Sequence, residues 1–447
     1  MLIMRRGLIL LFSLFFLITR AYAFEIIMPS ERKTVTTNNY AFIYGKATPA
    51  ESLTINDKSV YVAPNGAFAH SVKLHDGENR VYIRTLYGLT IYKYYKTSPE
   101  RVDVPVEEFS PVKAYVNKDN TPLRDTPVDG GLNRISHLFG GTHIVINGSK
   151  DSFYRVYLTK DKFAWIAKKD VTLTDERFYP AEFINMDSER FKNAIIQTIS
   201  FSKKLPYTVE DGEKEIIFRV YNPELSEESV YNLNIPKPQK YAYTISLDEG
   251  KYTFKVRKLT DNIKDINVVI DAGHGGTEKG AIGCLGDEEK DINLQIALQT
   301  AEILRKHDIN VVLTRECDAN VSLEDRVNIT KENEADVFVS IHLNSIGDVP
   351  MDVHRTRGTS VYYFNQNSKL LADTIQQKVV RYANTHDSGV QTGSFAVIRP
   401  TDYAAVLVET AYMTNPYDSM LYTNEKWINK AAKGISEGIL SYLKSNN

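Results

Sequence analysis

The sequence predicts a multidomain protein, in which several small all-β modules precede a C-terminal α/β domain with a mixed, mostly parallel sheet flanked by helices. Three observations carry this. Up to about residue 265 the chain is rich in Tyr, Thr, Val and Asn, in short alternating runs broken by turn signals such as Pro64-Asn65-Gly66 and Asp76-Gly77-Glu78-Asn79, the pattern of sandwiches and small barrels. Beyond it, short apolar runs alternate with long helical stretches, as in an α/β sheet. Several of those apolar runs end in a polar residue able to do chemistry.

The first 23 residues read as a leader rather than a fold. Arg5 and Arg6 precede an apolar run from Leu8 to Ile18, and Ala21-Tyr22-Ala23 offers a small-x-small cleavage site, the layout of a signal peptide cut before Phe24. The run is shorter than the roughly 20 residues a spanning helix needs, so export without a stable membrane anchor is expected. Removing Arg5, Arg6 and Arg20 leaves 51 basic residues against 56 acidic ones. A mildly acidic chain lacks the basic face that nucleic acid requires. The two cysteines, Cys284 and Cys317, form neither a disulfide framework nor a CxxC knuckle.

The β portion divides into modules 24–103 and 104–173 and a β-rich segment 174–264. The first, with "GKATPAESLTIND", resembles the immunoglobulin-like modules of bacterial surface proteins. The second resembles a bacterial SH3-like module, through Leu123-Arg124, Gly140-Gly141-Thr142, Tyr154-Arg155-Val156 and Ala164-Trp165-Ile166; that resemblance implies a wall-binding or spacer role. The third, with "EKEIIFRVYN" and "GKYTFKVRK", matches no named module. Their histidines, His70, His75, His137 and His143, lack metal spacing and are expected at the surface.

In the α/β domain, 265–447, strands are expected over 267–270, 310–313, 336–341, 359–364 and 404–408. Helices are expected over 288–306, from Ser322, over 368–383 and over 425–443. Ile292, Ile296 and Ile303 share one face at helical period, and Ser322 can cap its helix, with Asp325 three residues on. His274, His342 and Glu409 then fall at strand ends, and Glu289 at a helix start. Ligands of open α/β sheets bind beyond the carboxyl ends of the strands, so these four side chains can converge. Each has a plain alternative: a loop hydrogen-bonder for the histidines, a favourable helix-dipole charge for Glu289. Glu409 is harder to dismiss, because a carboxylate after Val406-Leu407-Val408 is costly to bury without a partner. The glycines around His274 do not make a phosphate loop, which needs GxxxxGK[ST] or GxGxxG running into a helix.

The runs "VVIDAGHGGTEKGAIGCLGDEEKDINL", "VVLTRECDANVSLEDRVN", "DVFVSIHLNS", "GTSVYYF" and "AAVLVETAYMTNP" resemble the successive motifs of zinc-dependent N-acetylmuramoyl-L-alanine amidases, over about residues 265–445. The resemblance implies one Zn2+ held by His274, Glu289 and His342, with Glu409 as the catalytic carboxylate. Glu289 is preferred to Glu288 because it precedes Lys290-Asp291, and helix neighbours point about 100° apart. Ala272 and Ala404 stand where the family commonly has proline, and "THDSGV" lacks an arginine before its glycine. The implied activity is hydrolysis of the bond between the N-acetylmuramic acid lactyl group and L-alanine of peptidoglycan, in the periplasm, the cell wall or outside the cell. A zinc peptidase acting within the stem peptide, or a non-catalytic wall-binding protein, are the alternatives. Regulated relatives carry a long helical insertion after the second histidine strand. Here only Ser345 to Gly358 follows it, so no autoinhibitory helix and no obligatory protein activator are expected.

Overall fold

In the computed structural model of the chain, residues 24–49, 52–98, 104–176, 179–223, 230–347 and 352–445 are described. The expected leader, 1–23, lies outside them. Among the described residues no helix is long and apolar enough to cross a membrane.

The N-terminal part is all β. Residues 25–73 supply a three-stranded sheet facing a five-stranded one that ends at Lys96, around a core that includes Ile43, Ile55, Phe68, Val81 and Ile83. Residues 107–174 form a seven-stranded antiparallel sheet. Residues 183–258 form a four-stranded and a three-stranded sheet. One apolar cluster runs through the last two regions, joining Leu123, Ile146 and Val156 to Phe201, Phe218 and Phe254. Of the four histidines expected at the surface, His75 alone is exposed; His70, His137 and His143 are half-buried. Each of those three sits in a strand or at its end, where one face packs on a neighbour, which a reading of isolated polar contexts does not register.

The C-terminal domain has strands β1 (Asn267–Ala272), β2 (Asn310–Leu313), β3 (Val337–Asn344), β4 (Thr359–Tyr363), β5 (Asp387–Thr392) and β6 (Ala404–Tyr412). Its helices are α1 (Glu289–Arg305), α2 (Leu323–Glu332), α3 (Lys369–Ala383), α4 (Pro416–Tyr422) and α5 (Glu425–Lys444). The sheet order is β2-β1-β3-β6-β4-β5. Only the β6–β4 pairing is antiparallel, so the sheet is mixed and mostly parallel, as expected.

Local chemistry explains these limits. Ser322 Oγ accepts from the Asp325 amide at 3.0 Å and starts α2. Asn415 caps α4 with Pro416 in its first turn, where a missing N–H costs nothing. Helix α5 lies against α3 because Gly434 and Gly438 let the backbones approach; a Cβ on Gly438 would come 2.5 Å from Ile375 Cα. Two elements were not expected from the sequence. Strand β5, "DSGVQT", is a polar edge strand without apolar alternation, and α4 is only seven residues long. Strands β3 and β6 also run past the expected ends, so His342 and Glu409 lie within strands rather than just beyond them.

The modules are packed on this domain. An apolar cluster joins Tyr44, Ala67 and Ala69 of the first module to Cys284, Ile346 and Val353. Tyr61 stacks on Tyr417 at 5.0 Å, and Asn65 donates to Ser419 Oγ at 3.0 Å. The 183–258 region is tied on by Lys240, whose Nζ donates to the Leu443 carbonyl at 2.8 Å.

Candidate metal centre

The four residues singled out by the sequence converge. His274 lies in the loop after β1 with φ of 59°, a left-handed conformation unusual for a residue with a side chain. Glu289 opens α1, and His342 and Glu409 are register partners on β3 and β6. Strand pairing therefore sets two of the four side by side.

His274, Glu289 and His342 each offer a ligand atom, and these atoms lie within 4.8 Å of one another. Glu289 bridges the two rings: its Oε1 is 3.0 Å from His342 Nδ1, and its Oε2 is 3.3 Å from His274 Nε2. The rings meet edge to face, with centroids 4.9 Å apart. Glu289 Oε1 also accepts from the Leu343 amide at 3.1 Å and from Asn293 Nδ2 at 3.2 Å, and Oε2 accepts from the Ala281 amide at 2.8 Å. Burial opposes ionisation of this carboxyl, but hydrogen bonds to His274 and His342 and their charges outweigh it and hold it below the ordinary carboxylate range.

Two imidazoles and a carboxylate are the donor set of a catalytic zinc site, which takes three protein ligands and leaves a fourth position to water. The residues present fit such an ion. Glu409 is the complementary feature. Its Oε2 is buried with no hydrogen-bond partner among the described residues. Burial, and then the charge of Glu289, push its carboxyl well above the ordinary range. A carboxylate left this way beside a ligand cluster has a raised proton affinity and a free lone pair for water or substrate.

The glycines of this loop leave room for particular neighbouring side chains. A Cβ on Gly273 would overlap the His342 ring, with Cδ2 only 2.7 Å away. One on Gly280 would crowd Glu289 Cβ at 2.9 Å and His274 Cδ2 at 2.7 Å. The room they leave is filled by the side chains of His342, Glu289 and His274 themselves.

Residues that sequence reasoning did not single out hold this loop. Arg315 Nε donates to the Ala272 carbonyl at 3.0 Å, and its Nη2 to the Gly273 and Lys290 carbonyls at 3.0 and 2.7 Å. Arg326 Nη2 donates to the His274 carbonyl at 2.9 Å, and its Nη1 pairs with the buried Asp271. Asp271 also accepts from Thr314 and Ser340, both at 2.6 Å. The available signal was weak: Arg315 follows the apolar Val311-Val312-Leu313 run only after Thr314, so it does not end that run as Glu409 ends Val406-Leu407-Val408. Cys284 and Cys317 are both free, the first buried and the second exposed.

Residues 268–441 match the family model Amidase_3, N-acetylmuramoyl-L-alanine amidase. Among similar proteins, YqiI of Bacillus subtilis, an uncharacterized protein, is 39% identical over 189 residues, covering 41% of this chain and 88% of that protein. The N-acetylmuramoyl-L-alanine amidase LytC of Bacillus subtilis is 38% identical over 191 residues, covering 42% of this chain but only 37% of its own length. Among solved structures, an N-acetylmuramoyl-L-alanine amidase from Clostridium difficile 630 is 38% identical, covering 41% of this chain and 98% of that one at a TM-score of 0.39.

Proposed function

The chain belongs to the N-acetylmuramoyl-L-alanine amidase family, and on that premise we propose that it is an exported, zinc-dependent peptidoglycan hydrolase. The bond cleaved joins the lactyl group of N-acetylmuramic acid to the L-alanine of the stem peptide. We assign a signal peptide to 1–23, an immunoglobulin-like module to 24–103, an SH3-like module to 104–173, a further β segment to 174–264 and catalysis to 265–447. The exported protein works in the periplasm, the wall or outside the cell.

The observation that carries this reading is the meeting of His274, Glu289 and His342 within 4.8 Å, beside a Glu409 oxygen that has no hydrogen-bond partner among the described residues. His274, Glu289 and His342 are the zinc ligands. A zinc ion held there would supply Lewis acidity toward water and the amide carbonyl. Glu409 accepts the proton as the water oxygen attacks the carbonyl carbon, then returns it to the departing L-alanine nitrogen. Arg315 and Arg326 hold the Ala272–His274 backbone in place throughout.

Digestion of purified peptidoglycan, with and without a chelator, tests the reading. Mass spectrometry is expected to find free L-alanine amino termini and intact glycan, with digestion stopped by the chelator. New termini inside the stem peptide would instead identify a zinc peptidase, and binding without new termini a wall-binding protein.

A further inference from the structure

The seam between the seven-stranded 107–174 sheet and the catalytic domain gathers three arginines and a histidine. Arg124 and Arg134 are direct partners in the antiparallel pairing of Thr121–Arg124 with Arg134–Leu138, and like charges facing each other across a ladder are destabilising. Arg124 is only 4% exposed. Its Nη2 meets Asp129 at 2.8 Å, its Nη1 reaches the Pro122 carbonyl at 3.3 Å, and its guanidinium lies 5.4 Å from the Phe153 ring centre. Its Nε is buried with no acceptor among the described residues, and so is the Nε of Arg134. Arg134 Nη1 faces His137 Nε2 at 3.4 Å.

The third arginine comes from the catalytic domain. Arg399 donates through Nε and Nη2 to Ser394 Oγ and carbonyl, at 2.9 and 2.7 Å. Ser394 in turn abuts the module's loop: a Cβ on Gly131 would come 2.5 Å from Ser394 Cβ. Asp129, the carboxylate paired with Arg124, has a side chain 76% exposed, so it is a weak counter-charge screened by water. Buried donors without acceptors are rare and costly, and here they coincide with an excess of fixed positive charge.

We propose that this seam is an oxyanion-binding site, in which Arg134 and Arg399, backed by Arg124, take a carboxylate or phosphate group between the module and the catalytic domain. Guanidinium groups suit such planar or tetrahedral oxyanions because their N–H donors are arranged as a fork. Burial, and then the charges of Arg134, Arg399 and Arg124, push the His137 ring down to about 4, so it stays neutral and can accept from Arg134. The site is separate from the metal centre: Thr392 is in register with Tyr363 and Tyr363 with Val406, whereas Glu409 pairs with Ser360 three residues further along. It rests on no assumption about the reaction catalysed.

The test uses the full-length protein in phosphate, acetate and chloride at matched ionic strength, following the unfolding midpoint. Phosphate or acetate is expected to raise the midpoint of the wild type above its value in chloride, and the more effective anion identifies the ligand chemistry. Arg399→Gln should lose that increment. Arg134→Gln should lose it too, yet unfold no earlier than the wild type in chloride, because it removes one of two facing like charges. Equal wild-type midpoints in all three anions would overturn the proposal, as would an increment that survives in both variants. So would an Arg134→Gln protein that is unfolded, or equally destabilised, in every anion.

Discussion

The ring of His342 occupies the space that a side chain on Gly273 would need. Strand β3 delivers the ring from one side and the loop after β1 passes directly over it, so the two chain segments are matched at a single missing Cβ. Gly273→Ala is therefore expected to displace His342 by about 1 Å and to cost 100-fold or so in hydrolysis, since about 1 Å of misplacement has that effect. Zinc content, measured by elemental analysis, should fall with it. Gly347→Ala is the control, because a Cβ there meets nothing within 4 Å. Equal zinc and activity in both variants would contradict the packing argument.

Glu409 and His342 face each other across β6 and β3, but their substitutions should differ in kind. Glu409→Gln keeps the shape and removes the base, so zinc stays stoichiometric while turnover drops by about 10²–10⁴-fold, the range for one general acid–base group. His342→Ala removes a ligand, and both zinc and activity are lost. A zinc-free Glu409→Gln protein would show that this carboxylate holds the metal rather than the proton.

His274, His342 and Glu409 stood out because each breaks a local pattern, whereas Glu289, in a run of charges, was picked out by the family resemblance. A histidine among glycines and charges after apolar strands stand out in a chain read by period and polarity, and strand order does the rest by bringing their ends together. The arginines that hold the loop were not legible in the same way. Arg326 lies inside a helix that also carries Glu324, Asp325, Lys331 and Glu332 at exposed positions, so nothing in its sequence context separates it from a solvated face. Strand β5 was hidden for a related reason: an edge strand with one pairing partner needs little apolar character. The three half-buried histidines mark the same limit, since module packing is set by tertiary contacts.

Arg326 supplies a stability prediction of its own. It is 4% exposed and its partner Asp271 is fully buried, so removing one member leaves an uncompensated charge. Arg326→Met is expected to destabilise the catalytic domain by about 3–5 kcal/mol, whereas the double variant with Asp271→Asn should recover part of the loss. Denaturant unfolding of the single and double variants measures the coupling. A single variant as stable as the wild type would mean that the pair contributes nothing.

A pH dependence follows from His137. Its folded-state value is pushed down to about 4 from an ordinary 6.5, by burial first and neighbouring arginines second. The unfolded chain then takes up a proton below pH 6.5 that the folded chain refuses, so stability is lost as the pH falls from 6.5 toward 4. The slope is about 1.4 kcal/mol per pH unit and the total at most about 3 kcal/mol. His137→Asn should flatten that part of the profile in chloride buffer, and an unchanged slope would mean that the ring titrates normally.

Cys284 tests the contact between the first module and the metal loop. Burial, followed by the charge of Asp287, pushes its thiol well above the ordinary cysteine range, and Tyr44, Ala67 and Ala69 of the module belong to its apolar cluster. Thiolates rather than thiols react with alkylating reagents, so the native protein should label at one cysteine, the exposed Cys317. Ala69→Asp puts a charge into the seam and is expected to separate the module from the loop that leads into Glu289. Mass spectrometry should then find two labelled cysteines per folded chain. A single label in both proteins would show that the catalytic domain buries Cys284 without the module, and that the module gives the metal loop no support.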